Sequence, residues 1–282
     1  MIKIFNSNPK RATIDITDEE IIKIFMESDK EFHNLTLYHR GESKEIRNTS
    51  IKGILIQKLI PSLNSYTQKR TGMLENTEVI RKNISCIFWE KLHEEGIPTC
   101  YLASNDQYIL VMEENIPPIE VIVKAAMVGT PAKIYHDLFS HTDRFGKPFV
   151  NNELHKPYVR FDYRNPASNE NGDFLRDECL PLALAERFID TKKSEESALK
   201  IFEIIQNTLR QIGLQVLDGC FFFDETGKTF CYEISPDNMR IKSLKWDNTT
   251  ELDDYDKDLW RKRADDKLLK EQWILLQRKL EI

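Results

Sequence analysis

The sequence is short of the features that mark several common protein classes. It has 10 glycines and 11 prolines in 282 residues, too few for a fibrous or low-complexity chain. No stretch of about 18 apolar residues occurs, which argues against a membrane-spanning helix. The opening Met1-Ile2-Lys3-Ile4-Phe5-Asn6 lacks the apolar core of a secretory leader. Basic charge is not in excess: the formal net charge is −6, the reverse of a general nucleic-acid binder. The five cysteines (Cys86, Cys100, Cys179, Cys220 and Cys231) are odd in number and never spaced C-x-x-C. Neither a disulfide framework nor a zinc knuckle is expected from them. These absences point to a cytoplasmic protein with no nucleic-acid and no membrane partner. In that setting N-x-S/T triplets such as Asn83-Ile84-Ser85 read as chance matches.

What is present is core material. Hydrophobic residues make up 40% and charged residues 30%, enough for one large domain or two small lobes. Near the start, Thr17 and Glu20 form a capping-box pattern, followed at helical spacing by Ile21, Ile24 and Phe25. Leu35–Tyr38, Ile54–Leu59 and Tyr108–Met112 read as strands, with Gly41, Pro61 and Asn64 as breakers. A packing helix interrupts them: Thr77 is the expected N-cap, Ile80, Ile84, Ile87, Phe88 and Leu92 share a face, and Gly96 with Pro98 ends it.

Farther on, Ile119–Lys124 reads as a buried strand. Residues 141–181 are polar and rich in proline, and read as a long loop region suited to a binding surface. A helix carrying Ala198, Ile201, Phe202, Ile205, Leu209 and Ile212 closes at Gly213. Leu214–Leu217, Phe221–Phe223 and Thr229–Ile234 read as strands, the last two joined by the turn Asp224–Gly227 as a hairpin. A C-terminal helix places Trp260, Leu269, Trp273, Leu276 and Leu280 on one side. Its mixed charges read as a solvated face.

Four groups could carry chemistry. Glu233-Ile234-Ser235-Pro236-Asp237-Asn238-Met239-Arg240 brings carboxylates and a guanidinium to a strand end, where they suit a divalent cation, sugar hydroxyls or an anion. Its ordinary alternative is a turn with a surface ion pair. Lys124 with Gly129 and Thr130 could form an anion cradle. Arg40-Gly41-Glu42-Ser43-Lys44 is a glycine turn flanked by bases, without the spacing of a Walker A loop. Arg164-Asn165-Pro166 and Arg176-Asp177 lie in the polar stretch. His136 and His141 do not share an H-x-x-x-H face, and no G-x-S-x-G elbow occurs.

In order and spacing these groups resemble SAICAR synthetase (phosphoribosylaminoimidazole-succinocarboxamide synthase) over roughly residues 35 to 280. Leu37–Lys44 resembles the family's L-Y-R-G-K-x-K, and Leu92–Thr99 its L-x-x-x-G-I-x-T. Pro118–Lys124 with Gly129-Thr130 is similar to P-x-E-x-V-x-R…G-S. Leu217–Arg240 resembles a V-D-x-K-x-E-x-G hairpin followed by D-E-x-S-P-D-x-x-R, and Asp256–Arg261 resembles D-K-D-x-F-R.

The resemblance implies an α+β fold, a small antiparallel β lobe over a larger α+β lobe with a C-terminal helix. Residues 1–32 would be an N-terminal appendage, 33–114 the nucleotide-covering lobe and 115–282 the substrate and nucleotide lobe. It implies a ligase that joins a phosphoribosyl-type carboxylate to an amino acid such as aspartate, with ATP and Mg²⁺. Lys44, Asp237 and Arg240 would be catalytic. Lys124, Thr130, Arg176, Asp177, Asp237 and Arg240 would hold substrate. Arg40, Lys44, Arg164 and Glu233 would face the nucleotide. A homo-oligomer is compatible with the resemblance.

The departures gather on the nucleotide side. Glu42 replaces the first lysine of the glycine turn, Cys220 the lysine of D-x-K, and Phe222 and Tyr232 the two carboxylates of the metal site. Of the remaining acids, Asp224, Glu225 and Glu233 could substitute, and Glu233 is the one assigned to the metal. Two functions follow: a divergent ligase in specialised metabolism, or a scaffold that binds or transforms a phosphoribosyl-type ligand without ATP.

Overall fold

Period-two alternation of apolar residues builds two antiparallel sheets. The computed structural model describes residues 1–65, 70–129, 135–150, 154–165, 168, 170–172, 175, 177–245, 253–262 and 265–282. The first sheet contains β1 (Lys3–Ile4), β2 (Leu37–Arg40), β3 (Lys44–Asn48), β4 (Ile54–Leu59), β7 (Tyr101–Ser104) and β8 (Tyr108–Met112), in the order β1-β7-β8-β4-β3-β2. Its two faces are both covered. Ile54, Ile56, Leu110 and Met112 pack with Ile21, Ile24 and Phe25 of helix α1 (Asp18–Glu31). Leu55, Leu59, Ile109 and Val111 point the other way, into the main core with Ile84, Phe88 and Trp89 of helix α2 (Thr77–Glu94). β5 (Ser62–Ser65) and β6 (Arg70–Met73) form a separate ribbon.

The second sheet runs β11 (Glu178–Cys179), β10 (Leu154–Tyr163), β9 (Ile119–Ala126), β12 (Leu214–Phe221), β13 (Met239–Ser243). On β9, Ile119, Val121, Val123 and Ala125 face the core. Helix α4 (Thr191–Gln211) covers that side with Ala198, Ile201, Phe202, Ile205 and Leu209. Glu120, Ile122 and Lys124 point to the opposite side. A four-residue helix α3 (Leu182–Ala185) precedes α4, and α5 (Asp258–Arg261) and α6 (Asp266–Leu280) end the chain.

The fold is α+β, as expected, and most elements fall where the sequence puts them. The Thr17–Glu20 capping box is formed in both directions, at 3.2 and 2.8 Å. Five local readings are corrected. Asn76, not Thr77, is the N-cap of α2, with φ 73°, and the Thr77 hydroxyl instead donates to the Leu74 carbonyl at 2.6 Å. Asn64 lies inside β5 rather than breaking a strand.

The polar stretch 141–181 contains the ten-residue β10, whose register shifts between Leu154 and Tyr158, around Pro157. The expected hairpin keeps only its turn and one bridge, Phe223 to Phe230. β12 runs unbroken to Phe221 and pairs with β13 instead. Other partners take up much of the backbone there: Asp224 accepts from the N–H groups of Lys228 and Thr229, Asn238 donates to the carbonyls of Cys220 and Glu233, and Phe230 exchanges backbone bonds with Pro98 and Cys100. Finally, the C-terminal stripe is split between α5, which carries Trp260, and α6.

The turn Asp224–Gly227 packs its last residue against the start of α4. Gly227 has φ +68°, and a Cβ there would lie 2.5 Å from the Ser194 amide nitrogen. Gly227→Ala is expected to lower stability by about 2 kcal/mol or more. Urea unfolding checks this, and an unchanged midpoint would contradict it.

Candidate functional site

A cleft of about 300 Å³ lies where the solvent-facing side of the second sheet meets the β2–β3 turn and the β5 ribbon. Strand register writes its floor in cross-strand rows. Lys124 of β9 stands opposite Asp218 of β12, which stands opposite Arg240 of β13. One step along, Arg160, Ile122 and Cys220 line up, and one step further Asp162 faces Glu120. Because side chains alternate across a strand, all of these reach the same cleft.

The first row is a charge triad in which Lys124 and Asp218 are buried and Arg240 is half-buried. Asp218 accepts from both the Lys124 ammonium and the Arg240 guanidinium. Burial pushes Asp218 up, yet Arg240 and Lys124 outweigh it and hold its carboxyl below the usual range. Burial lowers Lys124, against the pull of Asp218. The backbone of Gly129 closes over Arg240 with φ +70°, and a Cβ there would sit 2.9 Å from the guanidinium. An L side chain at that position would be strained by the positive φ and would push the guanidinium aside, so glycine suits it.

The terminal segment 256–261 explains itself here. Asp258 accepts from Arg240 at 3.1 Å and from Arg261 at 2.7 Å. Lys257 pairs with Asp237 at 2.9 Å. Asp256 accepts the Ile241 N–H at 2.8 Å and pairs with Lys242, which also contacts Asp254 and Asp258. The D-K-D-x-x-R run is therefore a clamp on the S-P-D-x-x-R segment, fixing both Asp237 and Arg240.

Glu233 has a different fate from the one expected. It is buried, and both its oxygens accept from Arg81, at 3.0 to 3.2 Å. Ser235 donates to it as well, at 3.1 Å. With its lone pairs aimed at a guanidinium, Glu233 does not present itself to a metal. Phe222 and Tyr232 lie against each other, ring centroids 4.6 Å apart. The Lys44 ammonium sits 4.6 Å from the Tyr232 ring and the Arg164 guanidinium 5.5 Å from Phe222.

Of the residues singled out in the sequence, Lys124, Arg164, Asp177, Asp237 and Arg240 line the cleft. Lys44 reaches it through Tyr232. Arg40 is exposed, pairs with Glu45 at 3.5 Å and is not among the lining residues. Thr130 and Arg176 lie outside the described residues. Glu120, Arg160, Asp162, Asp218, Lys257 and Arg261 line the cleft without having been singled out for the site. Alternation in Tyr158–Tyr163, with Arg160 and Asp162 on one parity, was the signal available for two of them. Among the described residues no group of three carboxylate, histidine or cysteine side chains converges as a metal cage. No helix there is long and apolar enough to cross a membrane.

Two antiparallel sheets beside a cleft lined by both acidic and basic side chains define an α+β scaffold. The sequence model of SAICAR synthetase matches residues 37–275, and the chain belongs to that family. Phosphoribosylaminoimidazole-succinocarboxamide synthase of Methanocaldococcus jannaschii is 34% identical over 197 residues, covering 66% of this chain and 72% of that one. The bifunctional cordycepin biosynthesis cluster protein 3 of Cordyceps militaris is 29% identical over 262 residues, covering 78% of this chain; the match spans only 30% of that longer protein. Among solved structures, the Ehrlichia chaffeensis phosphoribosylaminoimidazole-succinocarboxamide synthase has a TM-score of 0.70 at 22% identity, covering 87% of this chain and 98% of that one. A SAICAR synthetase in complex with ADP has a TM-score of 0.68 at 22% identity, covering 86% and 97%. At that identity these two establish the fold.

Glu120 is the strained member of the cleft. Burial, and then Asp177, push its carboxyl up to about 7, with Arg164 opposing. The folded state thus holds a proton that the unfolded state releases near 4.5, so Glu120 costs stability as pH rises from about 4.5 through 7. Glu120→Gln is expected to gain on the order of 2–3 kcal/mol relative to wild type at pH 8 over pH 4. Denaturant unfolding at the two pH values reads this, and a pH-independent difference would contradict it.

Proposed function

We propose that this chain is an amide-forming ligase that joins a phosphoribosyl-type carboxylate to an amino acid such as aspartate, driven by ATP. The observation that carries the reading is the pre-fixed row Lys124–Asp218–Arg240 beside the clamped Asp237, in a chain that belongs to the SAICAR synthetase family. Arg240 and Lys124 offer donors to a phosphate, and Asp237 an acceptor to ribose hydroxyls. The partners holding them fix their geometry before any ligand arrives, which reduces the ordering cost of binding. Thr130 and Arg176 remain assigned to substrate by resemblance alone.

ATP would supply the phosphoryl group that turns the carboxylate into an acyl phosphate. Lys44 and Arg164 are the cations assigned to its phosphates. Glu120, with a carboxyl near 7, is suited to accept the proton the amine must lose when its nitrogen attacks. Arg160 and Asp177 would flank the amino acid. Mg²⁺ does not fit the nucleotide end: Phe222 and Tyr232 carry no carboxylate and Glu233 is taken by Arg81. No step is therefore routed through a metal there.

A role in specialised metabolism is part of the proposal. It is supported by the likeness to a protein named for a cordycepin biosynthesis cluster and by the substitutions at Glu42, Cys220, Phe222 and Tyr232. The division into lobes 33–114 and 115–282 remains part of the proposal; it is supported by the strands of the second sheet all lying after residue 115, while residues 1–32 add β1 and α1 to the first sheet and its covering. A cytoplasmic location and a homo-oligomer remain part of the proposal without a structural observation of their own.

Arg240→Ala is expected to weaken binding of a phosphoribosyl-imidazole carboxylate by roughly 1.5–3 kcal/mol, the worth of a charge-assisted hydrogen bond. Calorimetric titration of the variant, with its melting curve as the folding control, checks this. Unchanged affinity in a folded variant would sink the assignment.

A further inference from the structure

Arg81 lies outside the cleft lining, yet it holds residues that form it. Its fully buried guanidinium forks onto both oxygens of Glu233, at 3.0 to 3.2 Å. The third nitrogen donates to the Ile60 carbonyl at 3.1 Å and reaches the Ser62 carbonyl at 3.5 Å, at the base of the β5 ribbon. From Glu233 the contacts run on toward Asp237. The buried Ser235 hydroxyl donates to Glu233 at 3.1 Å and accepts the Asp237 N–H at 3.2 Å. Asn238 donates to the Glu233 carbonyl at 2.7 Å and to the Cys220 carbonyl of β12 at 3.0 Å. Ser62, Asp237 and Asn238 all line the cleft, whereas Arg81, Glu233 and Ser235 do not. Lys257 grips the Asp237 carboxylate at 2.9 Å, so the relay from Arg81 grips the backbone of the same residue.

We propose that Arg81 is a positioning residue: through Glu233 and Ser235 it fixes the backbone of Asp237, and through Ile60 and Ser62 it fixes the spacing between Asp237 and the β5 wall. The inference rests on the ligase reading for the ligand that this spacing fits. The spacing itself does not depend on that reading. A buried ion pair adds little net stability over a neutral pair of similar size, because desolvation offsets the attraction. What the pair supplies here is geometry, since a planar fork meets a carboxylate in one orientation.

The double variant Arg81→Met with Glu233→Gln tests this in the full chain. It removes both charges together, leaves no lone buried ion, keeps an acceptor for Ser235 and changes no lining side chain. Its melting temperature should stay within about 5 °C of wild type. Two other readouts should move. The Asp237 amide should exchange with deuterium at least tenfold faster by NMR, and affinity for a phosphoribosyl-imidazole carboxylate should fall at least tenfold by calorimetry. Unchanged exchange at Asp237 overturns the proposal, and so does faster exchange with unchanged affinity. A wild-type chain that binds no such carboxylate defeats the ligase reading, and the exchange rate alone then decides the positioning role. Arg81→Lys keeps a charge beside Glu233 and loses the fork, so it should lie between wild type and the double variant on both readouts. Should the double variant fail to fold, wild-type exchange and affinity in Arg81→Lys overturn the proposal.

Discussion

The bridge between Arg81 and Glu233 is the contact on which the cleft depends. Arg81 is fully buried near the N-terminal end of α2, a helix that packs on the first sheet. Its partner heads the segment that carries Asp237 and Arg240 at the edge of the second sheet. The same guanidinium donates to the Ile60 carbonyl at 3.1 Å, just before the β5 ribbon. One cation therefore ties three pieces of the cleft wall together. Burying such a pair is costly in itself and adds little net stability. Breaking it is worse, because a lone buried carboxylate would remain, so the bridge makes the relative placement of these pieces hard to change.

From that anchor the charges are arranged as a lattice in which each functional group has a dedicated holder. Lys257 holds Asp237, Asp258 holds Arg240, and Lys124 shares Asp218 with Arg240. Lys242 gathers the carboxylates of the terminal segment behind them. Pairing keeps the ions charged in a place where burial alone would favour neutral forms. The opposite end of the cleft follows another rule. There, Lys44 stands over the Tyr232 ring and Arg164 over Phe222, Glu120 and Asp177 face Arg164, and Glu233 is withdrawn into the core by Arg81.

Much of the fold was legible. The helix at 18–31 announces itself by its capping box, and β4, β8 and β9 by apolar alternation. The site was legible in part, since Lys124, Asp237 and Arg240 stand out as charges at the ends of apolar strands. Arg81 was not, because a charged residue on a helix reads as solvent-facing until its distant partner is known. Arg160 and Asp162 were hidden in a stretch whose prolines suggest loop, although Pro157 only bends the strand that carries them. The segment 229–234 looked like a hairpin strand by composition. Its backbone is instead satisfied by scattered partners invisible in local pattern: Asp224 accepts at Thr229, Pro98 and Cys100 pair with Phe230, Ser85 bonds Ile234, and Asn238 donates to Glu233. Likewise the departure at Phe222 and Tyr232 could be read in the sequence, whereas the withdrawal of Glu233 by Arg81 required the structure.

The central claim is that the cleft joins a phosphoribosyl-type carboxylate to an amino acid at the expense of ATP. Mass spectrometry of a reaction containing the protein, ATP, aspartate and a phosphoribosyl-imidazole carboxylate tests it most directly. The predicted result is equal amounts of ADP and the amide, each dependent on all three reactants. ADP without amide, or neither product with that carboxylate or any other phosphoribosyl acid supplied, would contradict the account.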